Sequence, residues 1–176
     1  MKQRFGRGAA LLLAAATITF GLTMAAAAQE KISGDSDAAE VVTGTTIEMI
    51  VASFERNGFR VEVLEDSEGA PLVKSTDKGE PFSVYFYGCS EEGEDCGFIQ
   101  FTTGWNLDNG ITLAQIEEWN ANKLWGVASR DSEKDPWLSM TVNLRYGVTV
   151  ENFDDTVDWW RVILGQFAEH IGWTAE

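Results

Sequence analysis

The 176-residue chain carries 13 Lys+Arg against 28 Asp+Glu, a formal charge of −15 with its single histidine neutral, and 11% aromatics including seven tryptophans. A field of that sign repels nucleic acid and anionic lipid at range, so both are poor partners. The length suits one domain with a sizeable core, and two cysteines with one distant histidine are no zinc set.

The N-terminus has Lys2, Arg4 and Arg7, an apolar run from Ala9 to about Met24, and small residues up to Ala28. This is the pattern of a secretory signal, with cleavage expected after Ala28. The same run approaches the roughly 20 apolar residues that span a bilayer. Thr17, Thr19, Gly21 and Thr23 dilute it, and the small-residue site favours cleavage over retention as an anchor. No cysteine lies near that site and no adjacent arginines occur, which excludes a lipidated terminus and points to general rather than twin-arginine export. Residues 1–28 are therefore expected to be a signal peptide. The mature chain, −18 with ten basic against 28 acidic side chains, is expected in the periplasm or secreted, not inserted in a membrane. Gln29 to Gly44, small, polar and acidic, reads as a flexible leader before one domain over 45–176.

Ile47, Ile50, Val51 and Phe54 fall at helical spacing, Thr45 with Glu48 makes a capping box, and Asn57-Gly58 stops the helix. Phe59 to Leu64, Pro71 to Ser75 and Pro81 to Tyr87 read as strands separated by charged turns. Both faces of the third are apolar or aromatic, which places it centrally. Cys89 and Cys96 flank a run with four acids between two strand patterns, so in an exported protein they are expected to form a disulfide across a hairpin mouth. A redox-active pair is the alternative, but such thiols usually sit two residues apart, and these acids would raise their pKa.

Gly97 to Thr103 is the next strand. A helix then starts at the Thr112/Gln115 capping box and buries Leu113, Ile116 and Trp119. Lys123 to Arg130 and Trp137 to Tyr146 form an antiparallel pair, the second with Leu138, Met140, Val142 and Leu144 facing the core. Thr149 caps a long helix to about Ile171 whose buried stripe includes Phe153, Val157, Trp160, Leu164 and Phe167. The expected fold is α+β, in the order α-β-β-β-β-α-β-β-α, with helices on a mostly antiparallel sheet.

FYGC at Phe86 to Cys89, IEEWN at Ile116 to Asn120 and GVTVENF at Gly147 to Phe153 together resemble the YbjN-domain family. Members are described as bacterial sensory-transduction regulators, with a fold similar to type III secretion chaperones. The resemblance implies a binding or regulatory module, and Trp119-Asn120 as its signature pair. It also implies homodimerisation through a sheet edge or long helix, since secretion chaperones are dimers.

No serine or cysteine can be tied to His170 as a triad, no glycine spacing cradles phosphate, and the acidic turns at Glu65 to Glu68, Glu91 to Asp95 and Asp131 to Asp135 lack the spacing of a closed calcium loop. No catalytic residue, metal ligand or cofactor site is assigned. Trp119 and Trp160 sit on buried stripes, whereas Trp159 is rotated about 100° from its neighbour and is a candidate for an exposed or interface position. Trp105, at a strand end, is another. With Tyr85 and Tyr87 they make the candidate interaction surface, each weighed against ordinary core or edge packing. Asn120, at a helix end, suits a structural role binding carbonyls or a neighbouring loop.

The leading expectation is a non-enzymatic protein-binding module whose partner is basic or unfolded. A small-ligand or carbohydrate binder using Trp105, Tyr85 and Tyr87 is the alternative, and a hydrolase with paired carboxylates is third. Export is checked directly: the N-terminal peptide of protein from the cell envelope should begin at Gln29 by mass spectrometry, and an intact peptide spanning Ala28 and Gln29 would count against cleavage.

Overall fold

The computed structural model describes residues 40–45 and 47–174. The expected signal peptide (1–28) and the leader as far as residue 39 lie outside the described residues. Elements run β1 (Val41–Val42), α1 (Ile47–Arg56), β2 (Val61–Glu65), β3 (Pro71–Asp77), β4 (Glu80–Tyr87), β5 (Phe98–Gly104), α2 (Leu113–Asn122), β6 (Val127–Arg130), β7 (Pro136–Asn143), β8 (Val148–Thr149) and α3 (Val150–His170). Six strands form one sheet in the order β2-β3-β4-β5-β7-β6, every pairing antiparallel. The fold is thus α+β with three helices, as the hydrophobic periods imply. Among the described residues no helix is long and apolar enough to cross a membrane.

The inner face of the sheet is built by strand alternation. Val73, Val84, Phe101 and Met140 stand in register across β3, β4, β5 and β7 and are all buried. Phe54 from α1 and Trp160 from α3 close over this row, their rings 5.6 and 5.3 Å from Phe101. Trp160 also meets Phe82 edge-on at 5.7 Å. Each such aromatic pair adds about 0.5–1.5 kcal/mol beyond its buried area. A second aromatic group joins α2 to α3, with Trp119 and Trp105 at 4.8 and 5.3 Å from Phe167.

Polar clamps fix the helices laterally. Arg56 of α1 grips Asp154 of α3 through two bonds of 3.0 and 2.9 Å, and the buried Ser53 hydroxyl donates to the same carboxylate. Arg161 of α3 lies 4.4 Å over the Phe59 ring and donates to Asp77 at the end of β3 and to the Asn57 carbonyl. The two cysteines form a disulfide across the β4–β5 hairpin.

Several expectations are corrected. The leader does not extend to Gly44: Val41 and Val42 pair with Thr149 and Val148, and Val42 is fully buried. Gly44 is pinned to the disulfide loop, its carbonyl accepting the Cys96 N–H at 3.1 Å, and a Cβ there would lie 1.8 Å from the Cys96 carbonyl oxygen. Thr45 donates its hydroxyl to Asp95. Leu113 is 58% exposed, and α2 buries only Ile116 and Trp119. The strand expected from Lys123 starts at Val127, because the Lys123 N–H still closes α2 on Trp119 and Leu124 to Gly126 form a loop. The strand expected to reach Tyr146 ends at Asn143 in a turn where the Gly147 N–H bonds Leu144 and Tyr146 takes φ 68°. The expected caps at Thr112/Gln115 and Thr149 are formed.

The hydrogen bonds from Arg56, and then from Ser53, hold the Asp154 carboxyl below its ordinary value of 3.8. A depressed pKa stabilises the fold above the unfolded value, and that contribution is lost as pH falls through the folded value. Urea midpoints should therefore drop below about pH 4. Asp154→Asn should be less stable by about 1 kcal/mol at pH 7, with a shallower acid limb than the parent. Parallel limbs would show that the clamp contributes nothing.

Candidate functional site

The tryptophans divide into two populations. Trp119 and Trp160 are buried to 1% and 0%, as their stripes require. Trp159, one step round α3, is 41% exposed, and its indole stacks on Trp125 at 6.4 Å with an interplanar angle of 26°. Leu124 is 92% exposed beside Trp125, and Val162, one turn along α3 from Trp159, is also exposed. This apolar patch joins the α2–β6 loop to the solvent face of α3. Large apolar side chains collected in one exposed place mark an interaction surface more specifically than single ones do.

Trp105 does not belong to the exposed set and is corrected. It is 5% exposed, and its Nε1 donates to Glu80 at 2.7 Å. Trp173 donates to the other oxygen of the same carboxylate at 2.6 Å, so Glu80 holds the chain after α3 against the start of β4. Tyr87 is 48% exposed and Tyr85 half-buried, both on the outer face of the sheet, away from Trp159. That outer face holds a trough of about 630 Å³ with Tyr85, Ser83, Thr102 and Lys74 along it and Trp137 at one end. Trp137 lies flat because residue 104 is glycine: a Cβ there would come within 2.9 Å of the ring. The structure thus brings together Trp159 and Trp125, and separately Tyr85 and Trp137, but not the four residues expected from sequence.

Trp125 and Trp137 were missed. Leu124-Trp125 followed by Gly126 breaks strand alternation, and that was the signal for a loop. Trp137 had a weaker signal, a ring at the start of a strand on its outward phase.

Asn120 acts on the sheet edge. Its Nδ2 donates to the Ala128 carbonyl at 3.0 Å and its Oδ1 accepts the Ala128 N–H at 2.8 Å, so one amide replaces a neighbouring strand. Trp119 Nε1 donates to the Gly126 carbonyl at 3.0 Å. The adjacent pair therefore fastens β6 to α2, a structural role.

His170 and the acidic turn at Asp131 are also engaged locally. His170 Nε2 faces the Gln115 carbonyl at 2.9 Å and must donate to it, tying α3 to α2. Asp131 accepts the N–H groups of Glu133 and Asp135 at 2.9 Å and the Trp137 indole at 3.3 Å. The backbone bond from Asp135, with those from Trp137 and Glu133, lowers its pKa. Carboxylates of Asp131, Glu133 and Asp135 come within 4.8 Å of one another, but this is an exposed turn organised by its own backbone.

The model of the YbjN family, described as "putative bacterial sensory transduction regulator", matches residues 46–173. The chain belongs to the YbjN family. No curated protein and no solved structure gives a match. That description is of a regulator family.

Removing the Asn120 amide leaves the Ala128 N–H and carbonyl on an unprotected edge. Asn120→Ala should cost about 1–3 kcal/mol in urea denaturation and speed exchange of the Ala128 amide, while Asn122→Ala, whose amide only caps the Glu118 carbonyl, should cost less than about 1 kcal/mol. Equal costs would remove the special place of the signature pair.

Proposed function

We propose that this member of the YbjN family is an exported, non-enzymatic module that binds another protein, with a regulatory or chaperone-like consequence. The observation that carries the reading is the exposed Trp125–Trp159 stack, with the exposed Leu124 next to Trp125 and the exposed Val162 one turn from Trp159. Tryptophan, with tyrosine and arginine, is enriched among the few side chains that dominate protein–protein affinity, those whose truncation costs about 2 kcal/mol or more of binding. The negative charge of the chain favours a basic partner and steers its approach. The disulfide and the N-terminal pattern support an oxidising compartment such as the periplasm.

A second reading rests on the outer trough, where the flat Trp137 ring, Tyr85 and the hydroxyls of Ser83 and Thr102 form a platform suited to a carbohydrate or another small polar ligand.

A photo-crosslinking residue at position 162, installed in cells and followed by mass spectrometry of the envelope fraction, separates these. The expected result is a basic protein captured by the parent and lost in Trp125→Ala/Trp159→Ala, with the variant's circular dichroism unchanged. Equal capture by the parent and the double variant would sink the protein-binding reading. Capture of the chain itself would replace the basic partner with a dimer.

A further inference from the structure

The sheet does not end cleanly on its β6 side. β6 pairs with β7 only from Arg130↔Pro136 to Val127↔Ser139, whereas β7 runs on to Asn143. Backbone groups of an antiparallel strand point alternately to its two neighbours. Even-numbered residues of β7 and its continuations bond on the β5 side, since the Pro136 carbonyl accepts the Trp105 N–H and the Leu144 N–H donates to Gly97. The N–H and C=O groups of Thr141 and Asn143 therefore point the other way, beyond the end of β6. Neither has a backbone partner there among the described residues. One step back along the same side, the outward groups of Ala128 are taken by Asn120, so the plugged edge and the open one lie side by side.

The open edge is also furnished for an occupant. A recess of about 450 Å³ is bounded by Ser139, Met140 and Thr141 on one side and by Leu124 to Val127 on the other. Trp125 stands at its lip, stacked on Trp159. Along α3 the exposed positions Glu151, Asp155, Trp159 and Val162 follow at helical spacing, which places two acids in line with the indole. Of the cations flanking this edge, Lys123 is held by Gln166 and by the Trp119 ring, and Arg145, two residues past Asn143, lies over the Phe98 ring. An extended segment paired with Thr141 would send alternate side chains to the helix side, where Trp125 and Trp159 offer apolar contact and Asp155 and Glu151 a negative field. A second copy of this chain, at −15, brings charge of the wrong sign.

Resting on the protein-binding reading above, we infer that the partner docks by strand addition: an extended segment alternating apolar and basic side chains pairs with β7 at Thr141 and Asn143 and packs on the Trp125–Trp159 stack. Main-chain bonds give such a complex its affinity, and the alternate side chains give it its selectivity.

The probe is a synthetic peptide of about ten residues alternating lysine and valine, the length of an ordinary long strand, titrated against the oxidised protein by calorimetry. Amide hydrogen exchange is followed in parallel. Binding should slow exchange at Thr141 and Asn143 and change the fluorescence of the Trp125–Trp159 pair. Methylating the alternate peptide nitrogens that face β7 keeps every side chain and removes the donors, and should weaken binding by about tenfold or more. Replacing lysine by glutamate should abolish it. Thr141→Pro deletes an outward donor while sparing the β5 ladder, and should weaken the parent peptide by a similar factor at unchanged circular dichroism. Binding that ignores methylation, or that leaves the Thr141 amide unprotected, would overturn strand addition and leave the aromatic patch as a docking surface by side chains alone. A lysine–valine peptide that does not bind would overturn the inference as well, while the crosslinking experiment independently decides whether the patch binds a protein at all.

Discussion

Contact between the Trp160 ring and the inner face of the sheet is what the rest of the molecule depends on. The ring lies 5.3 Å from Phe101 and 5.7 Å from Phe82, in the middle of β5 and at the start of β4. Because strands β3 to β7 are in register there, one indole covers side chains from several of them. Its Nε1 has no hydrogen-bond partner among the described residues, a cost of about 1–3 kcal/mol that the surrounding apolar contacts must exceed. Phe54 shares the same row from α1, so both helices read their position from the same few rings.

Directional bonds convert that contact into a unique arrangement. Burial is proportional to area and indifferent to angle, so it does not by itself set how a helix lies on a sheet. Arg56 with Asp154 and Ser53, Arg161 with Asp77 and Asn57, and Glu80 with two indoles each join elements far apart in sequence. Most of these ion pairs are partly exposed and individually modest. Their value is placement, because each geometry is satisfied at one helix position only.

The same economy governs the surface. The fold uses Trp105, Trp119, Trp160 and Trp173 internally or against Glu80, and leaves Trp125, Trp137 and Trp159 at least two-fifths exposed. Exposure of three such rings on a strongly charged protein argues for contacts outside the chain. Two of them share one patch beside an unfinished sheet edge. The third lies on the opposite face over Gly104.

Much of the fold was legible in the residues alone, because periodicity, caps and turn chemistry are local. The Leu138-Met140 alternation, the Thr112/Gln115 box and the Phe153-Val157-Trp160-Leu164-Phe167 stripe each declare an element within a few turns of chain. Cysteine spacing and the acidic run between the thiols likewise pointed to the bridge that forms. What only tertiary structure decided is which distant residues meet. Nothing near Trp105 in sequence says that Glu80 and Trp173 will enclose it, and nothing near Trp159 says that Trp125 will stack on it. Val41 and Val42, set in a polar segment, become a strand only because Val148 and Thr149 lie alongside. Insertion of β7 between β5 and β6 is of the same kind, and it is the short reach of β6 that leaves Thr141 open. A side chain's burial depends on neighbours brought by the whole chain, whereas its helix or strand phase depends on the few residues beside it.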